Sequence, residues 1–276
     1  MAGVAGSRIA DREGLVESSE IRWLTPGVIT PSRQGGDQRT NQTMAAETYF
    51  TKATLDFLKQ LRAHNDRDWF LANKERYEKC ARDPFLRLIA DLAPAFEKAK
   101  LPYIADPRPN GGSMLRIYRD IRFSKDKSPY KVAISAHFSH QGAKDDAAPG
   151  FYLHLEPGKS RIGGGVWRPE PKALKKIRDA IVNDAKAWHK ANAPLRKSDY
   201  KTGSACGLIG ESLTRPPAGF PADHPFIEDI KRKDFAISSS LTDSEVCAPG
   251  FNKLVLERFR ARAPFLEFLS KAVGLS

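Results

Sequence analysis

The first third of the chain places its hydrophobic residues at helical spacing. In "TKATLDFLKQL" leucines recur at every third position after Thr51, a residue suited to cap a helix. The following "HNDRDWFLANKERYEKC" predicts a second helix that begins after Asn65 or Asp66. Pro84 is favourable in the first turn of a third helix, and Pro94 is expected to kink or divide that helix. We therefore predict a helical first third.

Between residues 113 and 168 the pattern changes to an alternation of apolar and polar positions. Three segments alternate, 114–123, 132–138 and 150–156, and "SRIGGGVWRP" is typical of a fourth strand that runs into a glycine loop. Turn-rich spacers such as "QGAKDDAAPG" connect these segments. The pattern predicts a continuous antiparallel meander of about four strands over residues 113–168.

Helical spacing returns after the predicted strands, in "PKALKKIRDAIVNDAKAWHK". A polar, irregular stretch follows, and then short helices are predicted around 224–232 and from about 250 to 272, with Pro264 breaking the last one. Helices, then strands, then helices indicate the α+β class. We predict a central antiparallel meander sheet packed with N-terminal and C-terminal helices.

Residues 1–43 differ in composition from the rest of the chain. They contain no lysine, and their five arginines are balanced by five acidic residues, so the net charge lies in residues 44–276. Gly, Ser, Thr and Gln recur there without periodicity, which predicts disorder. We interpret 1–43 as a disordered extension and Met44 as the biological start, with a genuine disordered tail as the alternative. Residues 44–276 are then expected to form a single α+β domain.

Charge and cysteine usage limit the classes of partner. The chain of 276 residues carries a formal net charge of +12, which favours anionic partners in general. Cys80, Cys206 and Cys247 form no CxxC motif, and unpaired thiols predict a cytoplasmic protein. The sequence has no run of ~18 apolar residues and no apolar core of a secretory signal, so no membrane partner is expected.

The stretch "RIYRDIRFSKDKSPYK", residues 116–131, is the strongest candidate for a binding site. Six of its sixteen residues are basic and two are acidic. If 114–123 is a strand, its polar side chains share a sheet face with His137 and His154. Because arginine binds oxyanions through paired, charge-assisted hydrogen bonds, we predict a basic pocket for a small phosphorylated or carboxylated ligand. The predicted ligand-binding residues are Arg116, Arg119, Asp120, Arg122, Lys127, Tyr130, Lys131, His137 and His154.

Two other interpretations of the same residues stay open. The basic strip is compatible with nucleic-acid binding, although it lacks the interleaved aromatic residues that stack on single-stranded bases. Alternatively, Arg116, Asp120, Arg122 and Glu156 form an internal ion-pair network that only fixes the register of the sheet. The sequence does not decide whether the protein is an enzyme, and it predicts no catalytic residue.

The other candidate motifs are weaker. "GGGVW", residues 163–167, suits either an anion held by backbone N–H groups or a close-packed bulge, and it lacks the spacing of nucleotide-binding glycine motifs. His137, His154, Asp120 and Glu156 are metal-binding types, but the neighbouring arginines would repel a cation. We therefore predict neither a cofactor nor a metal.

The basic stretch also resembles the signature of a bacterial domain-of-unknown-function family, number 2461. The signature RxxRDxRF, followed by DKxxY, is met by "RIYRDIRF" and "DKSPY". The flanking segments agree as well, among them "FLKQLRAHNDRDWFLANKERYE", "GFYLHLEP", "GGGVWRP" and "RPPAGFPADHP". The resemblance covers residues 50–270 approximately and implies membership of a family of conserved hypothetical proteins, without implying an activity.

Overall fold

The computed structural model describes residues 47–143, 148–196 and 207–275. The predictions about residues 1–43 and about a start at Met44 lie outside these residues. All the described residues belong to one compact unit, Met44–Ser276.

Helices form the N-terminal part of the described chain, as predicted. Thr51 caps the first helix in a capping box with Thr54, and the Asp66 side chain accepts from the Trp69 N–H at the start of the second. A π-helical turn, Glu78–Arg82, leads directly into the fourth helix. The helices are α1 (Lys52–Ala63), α2 (Arg67–Ala72), α3 (Lys74–Tyr77) and α4 (Asp83–Lys98).

An antiparallel sheet forms the centre of the fold. Its order is β1-β2-β3-β5-β4, so β1 to β3 form the predicted meander and β5 then pairs with β3. Two strands of this sheet, β4 and β5, were not predicted from the sequence. The strands are β1 (Ile134–Ser139), β2 (Gly150–Leu155), β3 (Arg161–Val166), β4 (Gly207–Ile209) and β5 (Phe235–Ser240). The α+β prediction is confirmed.

The prediction of a strand over residues 114–123 is wrong. Met114 makes one bridge to Ala136 of β1, and the chain then leaves the sheet. Residues 116–131, which we call the basic loop, fold back on themselves instead of extending the meander.

Backbone hydrogen bonds inside the basic loop explain this departure. Tyr118 bridges to Tyr130, and the Arg119 N–H donates to the Pro129 carbonyl at 2.9 Å. Pro129 has no N–H of its own, so it cannot complete a regular ladder at this position. The apolar–polar alternation that predicted a strand thus belongs to a short loop whose two halves pair with each other.

The C-terminal helices depart from prediction at two points. Asp184 ends α5 with a non-helical backbone, and its side chain then accepts from the Ala187 N–H at 2.8 Å, so the predicted single helix is two. Pro264 lies inside α9 and does not break it, nor does Pro94 divide α4. The helices are α5 (Pro171–Asn183), α6 (Ala185–Arg196), α7 (Ile227–Ile230), α8 (Asp243–Val246) and α9 (Phe251–Val273).

The core lies between the sheet and its helices. Phe259 of α9 stacks on Phe151 of β2 with ring centroids 4.4 Å apart, and Phe96 of α4 meets both rings. This apolar face of β2 continues through Leu153 and Leu155, which are fully buried. No helix of the described ranges is long and apolar enough to cross a membrane.

Candidate functional site

The face of the sheet opposite the aromatic core borders a cavity of about 720 Å³. We call it the sheet-face cavity. Its walls are largely apolar and include a few polar side chains, the composition typical of small-molecule sites. The cavity is lined by Leu115, His137, Ala148, Gly150, Tyr152, Arg161, Gly163, Gly164, Gly165, Trp167, Ile209, Ala236, Ile237 and Ser238.

Strand register brings polar side chains from three strands to this face. His137 of β1 pairs with Tyr152 of β2, and His154 of β2 pairs with Ser135 of β1 and with Arg161 of β3. Since side chains alternate between the two faces of a strand, these residues share one face. The predicted common face for His137 and His154 is therefore confirmed.

Glycines of β3 form the floor of the cavity. A Cβ on Gly163 would lie 2.0 Å from the Ile237 carbonyl oxygen, and one on Gly165 would lie 2.1 Å from that of Phe235. Gly165 also has a φ of +124°, which side chains disfavour. Because both glycines are paired in the ladder with β2 and β5, the close-packing interpretation fits this motif better than a free backbone anion cradle.

Tyr152, His154 and Glu156 form a chain of hydrogen bonds behind the cavity wall. The Tyr152 hydroxyl lies 3.2 Å from His154 Nδ1, and His154 Nε2 lies 3.0 Å from Glu156 Oε2. The other carboxylate oxygen, Oε1, accepts from Arg62 of α1 at 2.9 Å. Burial lowers the pKa of His154 below its ordinary value; the Glu156 carboxylate opposes this shift, whereas Arg161 and Lys131 add to it.

Positively charged side chains lie near His154. The Lys131 ammonium donates to the Arg116 carbonyl at 2.9 Å, and its pKa is lowered by burial and by the nearby Arg116 charge. Arg161 lies close enough to His154 to lower the pKa of its imidazole. Within the described ranges, the side chains of Arg116 and Arg161 have no hydrogen bond or ion pair. Both guanidinium groups are exposed and therefore available to bind an anion.

Asp120, Arg122 and Lys127 of the basic loop are placed elsewhere, which corrects the prediction that Asp120 and Arg122 converge on the sheet face. Arg122 is fully exposed and holds Asp120 through two hydrogen bonds, of 3.0 and 2.7 Å, which lower the pKa of Asp120. Lys127 donates to the Ile121 carbonyl at 3.0 Å. Asp120 and Arg122 miss the sheet face because the segment that carries them is not a strand.

Arg119 is also used inside the basic loop. It donates to Asp126, whose carboxylate in addition accepts from the Ser128 hydroxyl and N–H. The bonds from Ser128 and then from Arg119 hold the pKa of Asp126 well below its usual range. Glu156 pairs with Arg62 and His154 rather than with Arg116 or Arg122. The internal ion-pair network predicted as an alternative is thus replaced by separate pairs.

Tyr130 anchors the basic loop to the helices. Its ring is buried and stacks on Phe70 with centroids 4.0 Å apart. Asn65 bonds the Tyr130 backbone in both directions, donating to the carbonyl and accepting from the N–H, each at 3.0 Å. Burial raises the pKa of the Tyr130 hydroxyl. Among the predicted site residues, Tyr130 has the contacts of a structural anchor.

Replacing Asn65 by alanine is expected to lower the free energy of unfolding by about 1–3 kcal/mol, because two buried backbone groups of Tyr130 lose their partner. Urea unfolding measures this loss. Asn73→Ala is the matched control, since Asn73 donates one bond to the Trp69 carbonyl within its own helical segment. An equal loss in the two variants would contradict this role of Asn65.

A buried carboxylate shapes the rim of the sheet-face cavity. Asp234 accepts from the Arg168 N–H at 2.8 Å and from the Glu211 N–H at 3.0 Å. Trp167 and Ile209, which precede these two residues, stand half-exposed at the cavity. One carboxylate therefore ties the end of β3 to the end of β4.

Sequence reasoning missed Arg161, Ile209 and Ser238 as cavity residues, and it named Trp167 only within the weak GGGVW motif. Arg161 had a usable signal, since it alternates with Ile162 and shares its phase with the glycines of β3. Ile209 had little signal, because β4 has only three residues. Within 47–143, 148–196 and 207–275, no group of three or more His, Cys, Asp or Glu side chains is arranged to hold a metal.

The chain was compared with known proteins. A family model described as "Conserved hypothetical protein (DUF2461)" matches residues 53–268, which include the basic loop, the sheet and most of α9. Neither the curated proteins nor the solved structures gave a match. The matched region spans most of the chain, so this protein belongs to the DUF2461 family of conserved hypothetical proteins.

Proposed function

We propose that the protein binds a small anion with an apolar body in the sheet-face cavity, with the anionic group at Arg161. The observation that carries the proposal is a guanidinium at a largely apolar cavity, with no hydrogen bond or ion pair to any described side chain. Arginine presents a planar set of donors that matches phosphate and carboxylate oxygens. A phosphorylated or carboxylated ligand suits this site.

The walls of the cavity support a ligand that is more than a bare anion. Leu115, Trp167 and Ile209 offer exposed apolar surface at the cavity. A volume of about 720 Å³ lies in the range of small-molecule sites. An aryl or alkyl group in the cavity would cover apolar surface that now faces water.

The local electrostatics also favour an anion. Lys131 and His154 both have a lowered pKa, and a nearby positive charge contributes to each shift. An anion between Arg161, Arg116 and Lys131 relieves this like-charge repulsion. Its binding is therefore expected to raise the pKa of His154 as well as to stabilise the fold.

Phenyl phosphate is expected to raise the melting temperature of the wild type, and Arg161→Gln is expected to abolish the shift. At a hundred times its Kd, a ligand that binds only the folded state adds about 2.7 kcal/mol to the unfolding free energy. Thermal melts with inorganic phosphate, phenyl phosphate and benzoate measure the effect. We expect phenyl phosphate to exceed inorganic phosphate, because only the former fills the apolar part of the cavity.

Arg122→Gln is the matched control for Arg161→Gln. Both side chains are exposed, and the substitution removes the same charge by the same chemical change, but Arg122 does not line the sheet-face cavity. The phenyl phosphate shift should survive in this variant. No shift with any of the three probes, or an equal shift in Arg161→Gln and wild type, would overturn the proposal.

Nucleic-acid binding is a second candidate, and one exposed aromatic residue favours it. Phe123 is 95% exposed at the tip of the basic loop, and the Arg122 guanidinium lies 5.8 Å from its ring centroid. Such a pair offers a stacking surface to an unpaired base. Binding of an oligonucleotide that weakens steeply with salt, and that is lost in Arg122→Gln but kept in Arg161→Gln, would favour this function instead.

We retain the cytoplasm as the proposed location. Cys80 and Cys247 are free thiols that lie partly buried. Unpaired cysteines are the usual state in a reducing compartment. Labelling of both thiols in protein from freshly lysed cells would support this location.

A further inference from the structure

Tyr152, His154 and Glu156 are linked by hydrogen bonds and supply a hydroxyl, a base and a carboxylate, the three groups of an activated nucleophile. Tyr152 lines the cavity, its hydroxyl lies next to the His154 imidazole, and the Glu156 carboxylate lies on the other side of that ring. Tyr152 and His154 occupy alternate positions of β2 and Glu156 directly follows its end, so one continuous segment fixes their order. His154 is 9% exposed, which shields its bonds from competing water.

The carboxylate determines which nitrogen of His154 carries the proton. Glu156 Oε2 accepts, so the imidazole Nε2 at 3.0 Å donates. In the neutral ring, Nδ1 is then a free acceptor directed at the Tyr152 hydroxyl, 3.2 Å away. The hydroxyl therefore donates to a base that is oriented from behind, as in nucleophile–base–carboxylate triads.

We infer that Tyr152 is a catalytic nucleophile, that His154 is its general base, and that Glu156 is the positioning residue. The substrate class is an electrophilic acyl compound that carries an anionic group, such as a carboxylated ester. The expectation that the substrate carries an anionic group rests on the proposed function. The inferred activation of Tyr152 depends only on the side chains of Tyr152, His154 and Glu156.

The covalent step is balanced within these groups. A bond forms between Tyr152 Oη and the acyl carbon, while the bond from that carbon to the leaving oxygen breaks. The phenolic proton passes to His154 Nδ1, and the imidazolium then gives it to the leaving alkoxide. Water then gives a proton to His154 Nδ1 as its oxygen attacks the acyl carbon, the bond from that carbon to Tyr152 Oη breaks, and the imidazolium returns the proton to Tyr152 Oη, so that the net reaction is hydrolysis.

The protonation of His154 sets the pH dependence of this step. The groups that face its ring or act on it are Tyr152 from β2, Glu156 just after β2, Arg161 from β3 and Lys131 from the basic loop. Burial, Arg161 and Lys131 favour the neutral, basic form over the imidazolium, against the effect of Glu156. The nucleophile should therefore be active at neutral pH and lose activity only in acid.

Covalent labelling with sulfonyl fluorides tests the inference directly. The Tyr152 oxygen displaces fluoride from sulfur, and the phenolic proton passes to His154, so peptide mass spectrometry gives a rate for each tyrosine. Two probes are used: benzenesulfonyl fluoride, which is neutral, and para-fluorosulfonylbenzoate, which adds a carboxylate. At neutral pH we expect Tyr152 to label about a hundredfold or more faster than Tyr118, as general-base assistance implies. Tyr118 is 54% exposed and serves as the internal control.

The pH profile of the wild type separates catalysis from exposure without any substitution. Labelling of Tyr152 should rise with the deprotonation of His154, at a pH below the ordinary value of 6.5, and then stay level. An unassisted phenol instead gains reactivity toward its ordinary pKa of about 10. In His154→Gln the Tyr152 profile should become that of an unassisted phenol, and Glu156→Gln should give an intermediate rate.

The outcomes distinguish failure of this inference from failure of the proposed function. Slow labelling of Tyr152 by both probes, or a wild-type profile that rises only toward alkaline pH, overturns the inference. Fast labelling by both probes at equal rates, unchanged by Arg161→Gln, supports the nucleophile and counts against the anion site. Preference for the carboxylated probe that is lost in Arg161→Gln supports both.

Discussion

Replacing Gly165 by alanine is expected to lower the free energy of unfolding by about 2–5 kcal/mol. Two effects add at this position. Its φ of +124° is one that a residue with a Cβ adopts only under strain, and the new methyl group would lie 2.1 Å from the Phe235 carbonyl oxygen. Since that oxygen belongs to a paired strand, β5 has to move away from β3. Urea unfolding followed by circular dichroism measures the loss.

Gly158→Ala is the matched control for this prediction. Gly158 also has a positive φ, +70°, but a Cβ there would meet no atom within 4 Å. Its substitution carries the backbone strain alone, about 1–2 kcal/mol. Comparable losses in the two variants would mean that the contact between β3 and β5 is looser than described.

The second large effect is expected for Phe259→Ala, which should cost about 3–5 kcal/mol. Phe259 is fully buried on α9, stacks on Phe151 at 4.4 Å, and meets Phe138 at 5.5 Å and Phe96 at 6.0 Å. The surrounding rings come from two strands and from α4, so the space left by the ring cannot close without moving several elements. Chemical denaturation of the purified variant gives the value.

Phe123→Ala makes the same chemical change at a site that is 95% exposed. It should leave the unfolding free energy within about 0.5 kcal/mol of the wild type. If Phe259→Ala cost no more than Phe123→Ala, the central position of the aromatic cluster between the sheet and α9 would be wrong.

The parts of the fold that the sequence predicted are those with strong local periodicity. Thr51 and Asp66 cap helices because their side chains satisfy free N–H groups in the first turn, a local effect. The alternation in 132–138 and 150–156 corresponds to β1 and β2, where one face is buried. Long-range pairing was not predicted, because β5 joins β3 from a distant part of the chain.

The errors have identifiable physical causes. The basic loop shows strand alternation, but its backbone pairs within itself around Pro129. Pro264 removes one backbone donor, a cost of about 3 kcal/mol that the packing of α9 against the core offsets. The local sequence does not show which of several partners a backbone group will pair with. It also does not show whether packing will outweigh the cost of a proline inside a helix.

Half of the candidate site was within reach of sequence reasoning. The shared face of His137 and His154 followed from strand phase, since side chains alternate from residue to residue. The predicted position of Arg122 was wrong because the strand predicted over 114–123 does not form. The proximity of Arg161 to His154 depends on the pairing of β3 with β2, which the sequence alone does not show. The spacing of two residues places Tyr152 and His154 on one face, but it does not predict the hydrogen bond between their side chains.

The two bonds to the Asp234 carboxylate have a consequence for selectivity. The Asp234 carboxylate binds the backbone N–H groups of both Arg168 and Glu211. The distance between the two sides of the cavity rim is therefore fixed. For the ligand proposed above, the fixed separation of Trp167 and Ile209 adds a selection by thickness to the selection by charge at Arg161. We expect a flat ring to enter the cavity more readily than a branched or globular body of equal volume.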